Sequence, residues 1–210
     1  MRIDPAAWPF VGGALALGAL AGWTVHSALG AAGLILAAVF LAFFRDPDRA
    51  VTQLAGAVLA PADGRVLVAG LPTVRGFPDA EWRQVSIFLS PTDVHVNRMP
   101  VAGRVLKVRY HPGRFLPAYR ADAGDLNEYT EVWIDHDGQA IVVRQVVGIL
   151  ARRIVCRTAE GAVVHAGDRF GVMKFGSRMD VLVPATARIA VAVGDRVAGA
   201  VTVIAVLEQP

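Results

Sequence analysis

The chain has 210 residues, 54% hydrophobic and 19% charged, with a formal net charge of +3, a length that suits one domain with an appendage. No Asp, Glu, Lys or Arg occurs in the 40 positions from Pro5 to Phe44, which argues against a wholly soluble or a disordered chain. An all-helical polytopic transporter is excluded, because nothing after Phe44 is long and apolar enough to span.

The first 44 residues read as a membrane element. A single helix over the uncharged run would be about 60 Å long, twice the hydrocarbon core. Two segments fit better, Trp8 to Val25 and Ala28 to Phe44, with the polar His26-Ser27 break and nearby Gly30 as the turn. Trp8 and Trp23 then fall near the interfaces. Arg2, Arg45 and Arg49 lie on one side, which the positive-inside rule assigns to the cytoplasm. A re-entrant hairpin that dips in without crossing is an alternative. So is a cleaved signal peptide, although Asp4 and the length of the apolar run speak against it. Every reading leaves the rest of the chain at the surface of the cell membrane.

Arg45-Asp46-Pro47-Asp48-Arg49 is a charged, proline-broken junction, so the expected domains are an anchoring hairpin over 1–45 and a second domain over 46–210. Short β-branched runs follow: Gly64 to Ala69, Gln84 to Leu89, Gly103 to Val108, Glu131 to Asp135, Ala140 to Val147, Arg153 to Arg157, Met179 to Val183, Arg188 to Val193 and Val201 to Val206. Asp137-Gly138 between two of them is a hairpin signal. The fold class is mainly β, a sandwich or barrel-like domain behind a hydrophobic helical hairpin. Pro61-Ala62-Asp63-Gly64-Arg65-Val66-Leu67 recurs as Pro100-Val101-Ala102-Gly103-Arg104-Val105-Leu106, and Gly167-Asp168-Arg169 is echoed by Gly194-Asp195-Arg196. Such turn-plus-strand repeats are similar to the lipoyl and biotinyl carrier sandwiches. The carrier lysine is missing, since Lys174 runs into Phe175-Gly176-Ser177.

The lone Cys156 excludes a disulfide framework and a cysteine-rich zinc site, and within a strand it reads as a small buried residue. The arginines are scattered without interleaved aromatics, so a nucleic-acid partner is not expected; anionic headgroups suit them better. There is no Gly-x-Ser-x-Gly elbow, P-loop or zinc-spaced histidine set. With two lysines a pyridoxal phosphate site has few candidates. One Gly-Ser pair remains, Gly176-Ser177. Glycine leaves its carbonyl open to the next hydroxyl, and an N→O acyl shift followed by elimination and hydrolysis leaves a pyruvoyl group. A Gly-Ser pair is also an ordinary turn.

Longer motifs make the pattern specific. They are Phe43-Phe44-Arg45-Asp46-Pro47, Ala60-Pro61-Ala62-Asp63-Gly64, Leu89-Ser90-Pro91-Thr92-Asp93-Val94-His95-Val96-Asn97-Arg98-Met99-Pro100, Tyr110-His111-Pro112-Gly113-Arg114-Phe115, Gln145-Val146-Val147-Gly148 and Lys174-Phe175-Gly176-Ser177-Arg178-Met179-Asp180. In this order they resemble the phosphatidylserine decarboxylases of the short, membrane-anchored type and their archaeal-lipid counterparts. The resemblance implies a zymogen cut between Gly176 and Ser177 into a β chain, 1–176, and an α chain, 177–210, that stay associated. It also implies that Ser177 becomes a pyruvoyl group, without metal or pyridoxal phosphate. A phospholipid with a serine headgroup would form a Schiff base there and lose CO2, giving phosphatidylethanolamine. The resemblance leaves open diacyl against ether lipid, and it admits a homodimer.

By the same resemblance Ser177, His95 and Asp63 are the catalytic set, with His95 as proton donor. Arg114, Phe115 and Arg98 are candidates for substrate or membrane contact. Longer relatives carry a second histidine where this chain has Arg98, so the base for self-cleavage is open between Asp63 alone, His95 in both roles, and strain at Gly176. Relatives read Asn-Glu-Arg where this chain has Asn127-Glu128-Tyr129. Two other readings remain: a tethered β-sandwich module that never cleaves, and a pyruvoyl decarboxylase of a small soluble amino acid.

Overall fold

Alanine and leucine dominate the uncharged N-terminus and favour helix throughout it. The computed structural model, which describes residues 1–149, 154–174 and 176–208, has two helices there, α1 (Trp8–Thr24) and α2 (Ser27–Phe43). Asp4 Oδ1 accepts the Ala6 N–H at 2.9 Å and caps the 3-10 turn that leads into α1. The expected polar break is a cap: His26 Nδ1 accepts the Ala28 N–H at 3.1 Å at the start of α2. Small residues make the contact between the helices, Gly18 lying against Gly33 and Gly22 against Gly30. Leu17, Leu20, Trp23, Leu34 and Ile35 face outward, 56–88% exposed. This is the reverse of a water-soluble helix pair, whose large apolar side chains turn inward. The helical run Pro5–Thr24 is long and apolar enough to cross a membrane; at 17 residues Ser27–Phe43 is shorter. Strands β1 (Arg2–Ile3) and β2 (Arg45–Asp46) pair beside the helices, and this compact unit ends at Asp48.

The second unit begins at Arg49 and is built from β3 (Ala57–Leu59), β4 (Gly64–Gly70), β5 (Trp82–Leu89), β6 (Val96–Arg98), β7 (Gly103–His111), β8 (Tyr129–His136), β9 (Gln139–Val147), β10 (Ile154–Cys156), β11 (Val163–Val164), β12 (Arg169–Met173), β13 (Ser177–Pro184), β14 (Arg188–Ile189), β15 (Arg196–Val197) and β16 (Val203–Val206), with one helical turn, α3 (Ala123–Leu126). An eight-stranded sheet runs β11-β7-β8-β9-β13-β5-β4-β15, beside three-stranded sheets β10-β12-β6 and β14-β16-β3. The fold is mainly β, as expected, with open sheets and no closed barrel among the described residues. The two PxxG repeats do the same job. Gly64 and Gly103 open β4 and β7, each so near a neighbouring carbonyl (Phe88 O and Asp135 O) that a side chain would collide with it.

Period-two alternation places the site. On the inner face of the large sheet Val85, Ile87, Leu89, Val143, Met179, Val181 and Val183 join the main core. The opposite face of β13 carries Arg178, Asp180 and Leu182, and it too is buried, Leu182 within a smaller cluster with Val74, Phe77 and Val142. The strand Met179 to Val183 expected from sequence is thus longer, starting at Ser177, because polar residues on its second face are covered. Arg188 to Val193 is strand only over Arg188–Ile189. Arg153 lies outside the described residues, and the run it begins is strand over Ile154–Cys156.

Candidate active site

Ser177 is the first residue of β13, in register with Leu89 on β5 and Val147 on β9. It is fully buried, and its Oγ has no hydrogen-bond partner among the described residues. A buried hydroxyl without a partner costs free energy; here it opens a buried strand and follows a glycine. That glycine, Gly176, has φ +75°, the left-handed region that side chains disfavour. Its N–H donates to His95 Nε2 at 3.4 Å, a long hydrogen bond. Since Nε2 accepts, the ring proton sits on Nδ1, which donates to Asp93 O at 2.9 Å.

His95 is wholly buried just before β6. The turn that delivers it is tied within itself, Ser90 N–H and Oγ–H both donating to Asp93 Oδ2 at 2.8 and 2.7 Å, and from a distant part of the chain, Arg196 donating to Asp93 Oδ1 at 2.9 Å. Two residues on, Asn97 Nδ2 donates to His95 O at 3.3 Å, and Gln145 Nε2 donates to Asn97 Oδ1 at 2.8 Å. This buried amide pair joins β9 of the large sheet to β6 of the smaller one. Sequence reasoning assigned neither residue a role. The available signal was the spacing of His95 and Asn97, two apart and so on one face of a strand.

Asp63 stands in the turn before β4. Its carboxylate accepts Arg49 Nη2 at 2.7 Å and Gly199 N–H at 2.8 Å, and neither contact involves His95 or Ser177. Arg98 is buried, 5% exposed, and donates to Gly167 O at 3.3 Å. Arg114 and Phe115 are exposed, on a segment whose backbone is tied down around Asn127: Arg114 N–H donates to Leu126 O at 2.7 Å, Glu128 N–H to Arg114 O at 3.0 Å, and Leu116 N–H to Asn127 Oδ1 at 2.9 Å. The structure therefore brings His95 to the amide nitrogen of Gly176, one peptide before the Gly176-Ser177 bond, holds Asp63 in a separate ion pair, and leaves Arg114 and Phe115 at the surface.

On the opposite face from Ser177, Arg178 Nε donates to Asp180 Oδ1 at 2.6 Å, both side chains almost fully enclosed. Arg178 also donates to Ser86 Oγ at 3.0 Å and to Arg120 O at 3.3 Å. The second contact holds down the 113–127 segment, whose Pro117, Ala118 and Tyr119 wall a cavity of about 330 Å³ with Phe88, Pro91, Ile149 and Gly176. Gly176 thus lines an apolar cavity and also gives its N–H to an imidazole.

The phosphatidylserine decarboxylase family model matches residues 36–205. A phosphatidylserine decarboxylase proenzyme of Symbiobacterium thermophilum is 45% identical over 96% of this chain and 94% of its own length. Similar proteins of the same name from Nitrosomonas europaea and Mycobacterium avium are 43% and 44% identical, over 94% and 98% of this chain and 92% and 86% of theirs. With a family model spanning most of its length and relatives aligned over most of theirs, the chain belongs to the phosphatidylserine decarboxylase family, a family of decarboxylating enzymes.

Proposed function

We propose that this chain is a proenzyme that cuts itself between Gly176 and Ser177 and then decarboxylates phosphatidylserine to phosphatidylethanolamine. The observation that carries the reading is the buried, unpartnered Ser177 Oγ directly after a glycine whose N–H meets His95 Nε2. A serine destined to be consumed needs a free hydroxyl, and its neighbour needs a carbonyl unshielded by a side chain.

In the cut, Ser177 Oγ bonds to the Gly176 carbonyl carbon while the carbon–nitrogen bond breaks and the nitrogen takes up the hydroxyl proton. Loss of the Ser177 α-proton then expels the Gly176 carboxylate, and one water replaces nitrogen as ammonia to leave a ketone at position 177. Unprotonated Nε2 makes His95 the base for the first step. Asp63 acts at a distance, fixing the turn before β4 through Arg49 and Gly199. The pyruvoyl group so formed supplies an electron sink for the bond that loses CO2. His95, held at the neighbouring amide of Gly176, is the group that returns a proton to the substrate carbon.

The apolar cavity against Gly176 favours a lipid over a small soluble amino acid, since its lining offers carbon to an acyl or glycerol chain and, among the described residues, no charged side chain to a second charged group. The outward-facing leucines of α1 and α2 support seating that unit in the cell membrane. The catalytic unit, 49–210, would then work at the cytoplasmic face, with Arg114 and Phe115 towards the lipid surface. The first test is an intact-mass spectrum of the purified chain beside Ser177→Ala. Fragments 1–176 and 177–210, the latter with a ketone terminus, are expected from the wild type only. A wild-type chain that persists at 22.3 kDa removes the pyruvoyl mechanism. Turnover of free serine as fast as vesicle-borne phosphatidylserine would replace the lipid substrate with a soluble one.

A further inference from the structure

The carbonyl that the proposed cut would attack rests on a second glycine. A Cβ built on Gly148 would lie 2.3 Å from the Gly176 oxygen and 3.2 Å from the Gly176 carbonyl carbon, with Ala118 Cβ 3.4 Å away. No side chain fits in that space. The contact follows from register: Val147 is opposite Ser177, so residue 148 leaves the ladder where residue 176 enters it. The two glycines answer different needs. A Cβ on Gly176 would have nothing within 4 Å, and what glycine supplies there is its φ of +75°. At Gly148 it supplies room.

The Gly176 oxygen accepts no backbone hydrogen bond among the described residues. Packing therefore orients this carbonyl, and the surface it packs on is the bare α-carbon of Gly148.

We propose that Gly148 is a positioning residue for self-cleavage, the seat that holds the Gly176 carbonyl at the angle from which Ser177 Oγ reaches its carbon. The inference rests on the self-cleavage reading above and takes no part in the later decarboxylation. Gly148 itself makes and breaks no bond. In the step it serves, the Ser177 Oγ–Gly176 carbon bond forms, the peptide bond breaks, and the hydroxyl proton passes to the nitrogen. A methyl at 148 must push the oxygen from 2.3 Å out to ordinary contact near 3.4 Å, roughly 1 Å. A displacement of about 1 Å at a reacting centre costs on the order of 100-fold in rate.

The experiment follows full-length precursors made by cell-free synthesis, reading cleavage by intact mass with and without hydroxylamine. Hydroxylamine cuts the serine ester and so reports whether the acyl shift has occurred. Gly148→Ala is compared with wild type and with Gly103→Ala, which forces a similar collision against Asp135 O away from the Gly176-Ser177 peptide. Ala118→Val crowds the same seat from the side and serves as the milder variant. Gly148→Ala is expected to slow cleavage about 100-fold, without rescue by hydroxylamine. Ala118→Val should slow it less, and Gly103→Ala should cleave at the wild-type rate despite a lowered urea midpoint. Wild-type cleavage of Gly148→Ala overturns the proposal, as does equal loss in Gly103→Ala or full rescue by hydroxylamine. A wild-type precursor that never cleaves overturns the self-cleavage reading itself, a result visible before any variant is compared.

Discussion

The backbone nitrogen of Gly176 and the Nε2 atom of His95 meet at 3.4 Å, one residue before a buried hydroxyl with no partner. The imidazole is thereby held on the amide one peptide before the proposed cut rather than on the hydroxyl, and the self-cleavage reading makes it the acceptor of the Ser177 proton. His95→Ala should slow self-cleavage by about 10²- to 10⁴-fold, the usual contribution of a general base. A time course of intact mass checks this, with a melting curve to show that the fold survives.

Asp63 and Arg49 can be separated. Asp63→Ala removes both anchors of its turn, the Arg49 ion pair and the bond from Gly199 N–H. Arg49→Ala removes only the first, a partly exposed pair of the kind that contributes little by itself. Cleavage is expected to slow at least about tenfold in Asp63→Ala and about twofold or less in Arg49→Ala. Equal losses in the two variants would make the ion pair, not the carboxylate, the part that matters.

The Arg178–Asp180 pair should behave as a buried ion pair. Arg178→Met leaves Asp180 enclosed and unneutralised, at a cost of about 3–5 kcal/mol, whereas Arg178→Met with Asp180→Leu should cost clearly less. Urea unfolding in a Ser177→Ala background, where cleavage cannot complicate the transition, measures both. Because Arg178 also holds the Arg120 carbonyl, the single variant should additionally loosen the 113–127 segment towards proteases.

Cys156 should be a slow thiol. Burial pushes its pKa above the ordinary value, so at a given pH less of it is thiolate than in a free cysteine, and the thiolate is the form that alkylates. Iodoacetamide at pH 8 is expected to label the urea-unfolded chain much faster than the native one, with native labelling accelerating as pH rises.

The mainly β character, the helical hairpin and nine strand positions were legible because each depends on local pattern: an uncharged run, β-branched clusters, and glycine turns. The strands not foreseen, Val96–Arg98, Arg169–Met173 and Ala57–Leu59 among them, are short or carry polar residues such as Asn97 and Arg98, buried only through tertiary partners. The start of β13 at Ser177 was hidden likewise, since Arg178 and Asp180 look like surface until Ser86 and the 113–127 segment cover them. For the candidate site, the motifs named His95, Ser177 and Asp63, and the fold sets His95 against Gly176. Motifs alone could not reveal the Asn97–Gln145 link or the use Asp63 makes of Arg49, because each joins residues more than a dozen positions apart.

The placement of β13 bears on how the molecule could come apart. Its Ser177 end is laced to β5 on one side and β9 on the other, and the 34 residues from Ser177 onward also contribute β14, β15 and β16 to the sheets. Scission there would give two polypeptides sharing one interior, since the main core draws on both sides of the cut. Denaturation of the uncut chain is a one-molecule event, indifferent to dilution. After scission the same event becomes a dissociation, with a midpoint that falls as the sample is diluted. Assembly would then be a single opportunity, taken by the intact precursor before it severs the link that lets it fold.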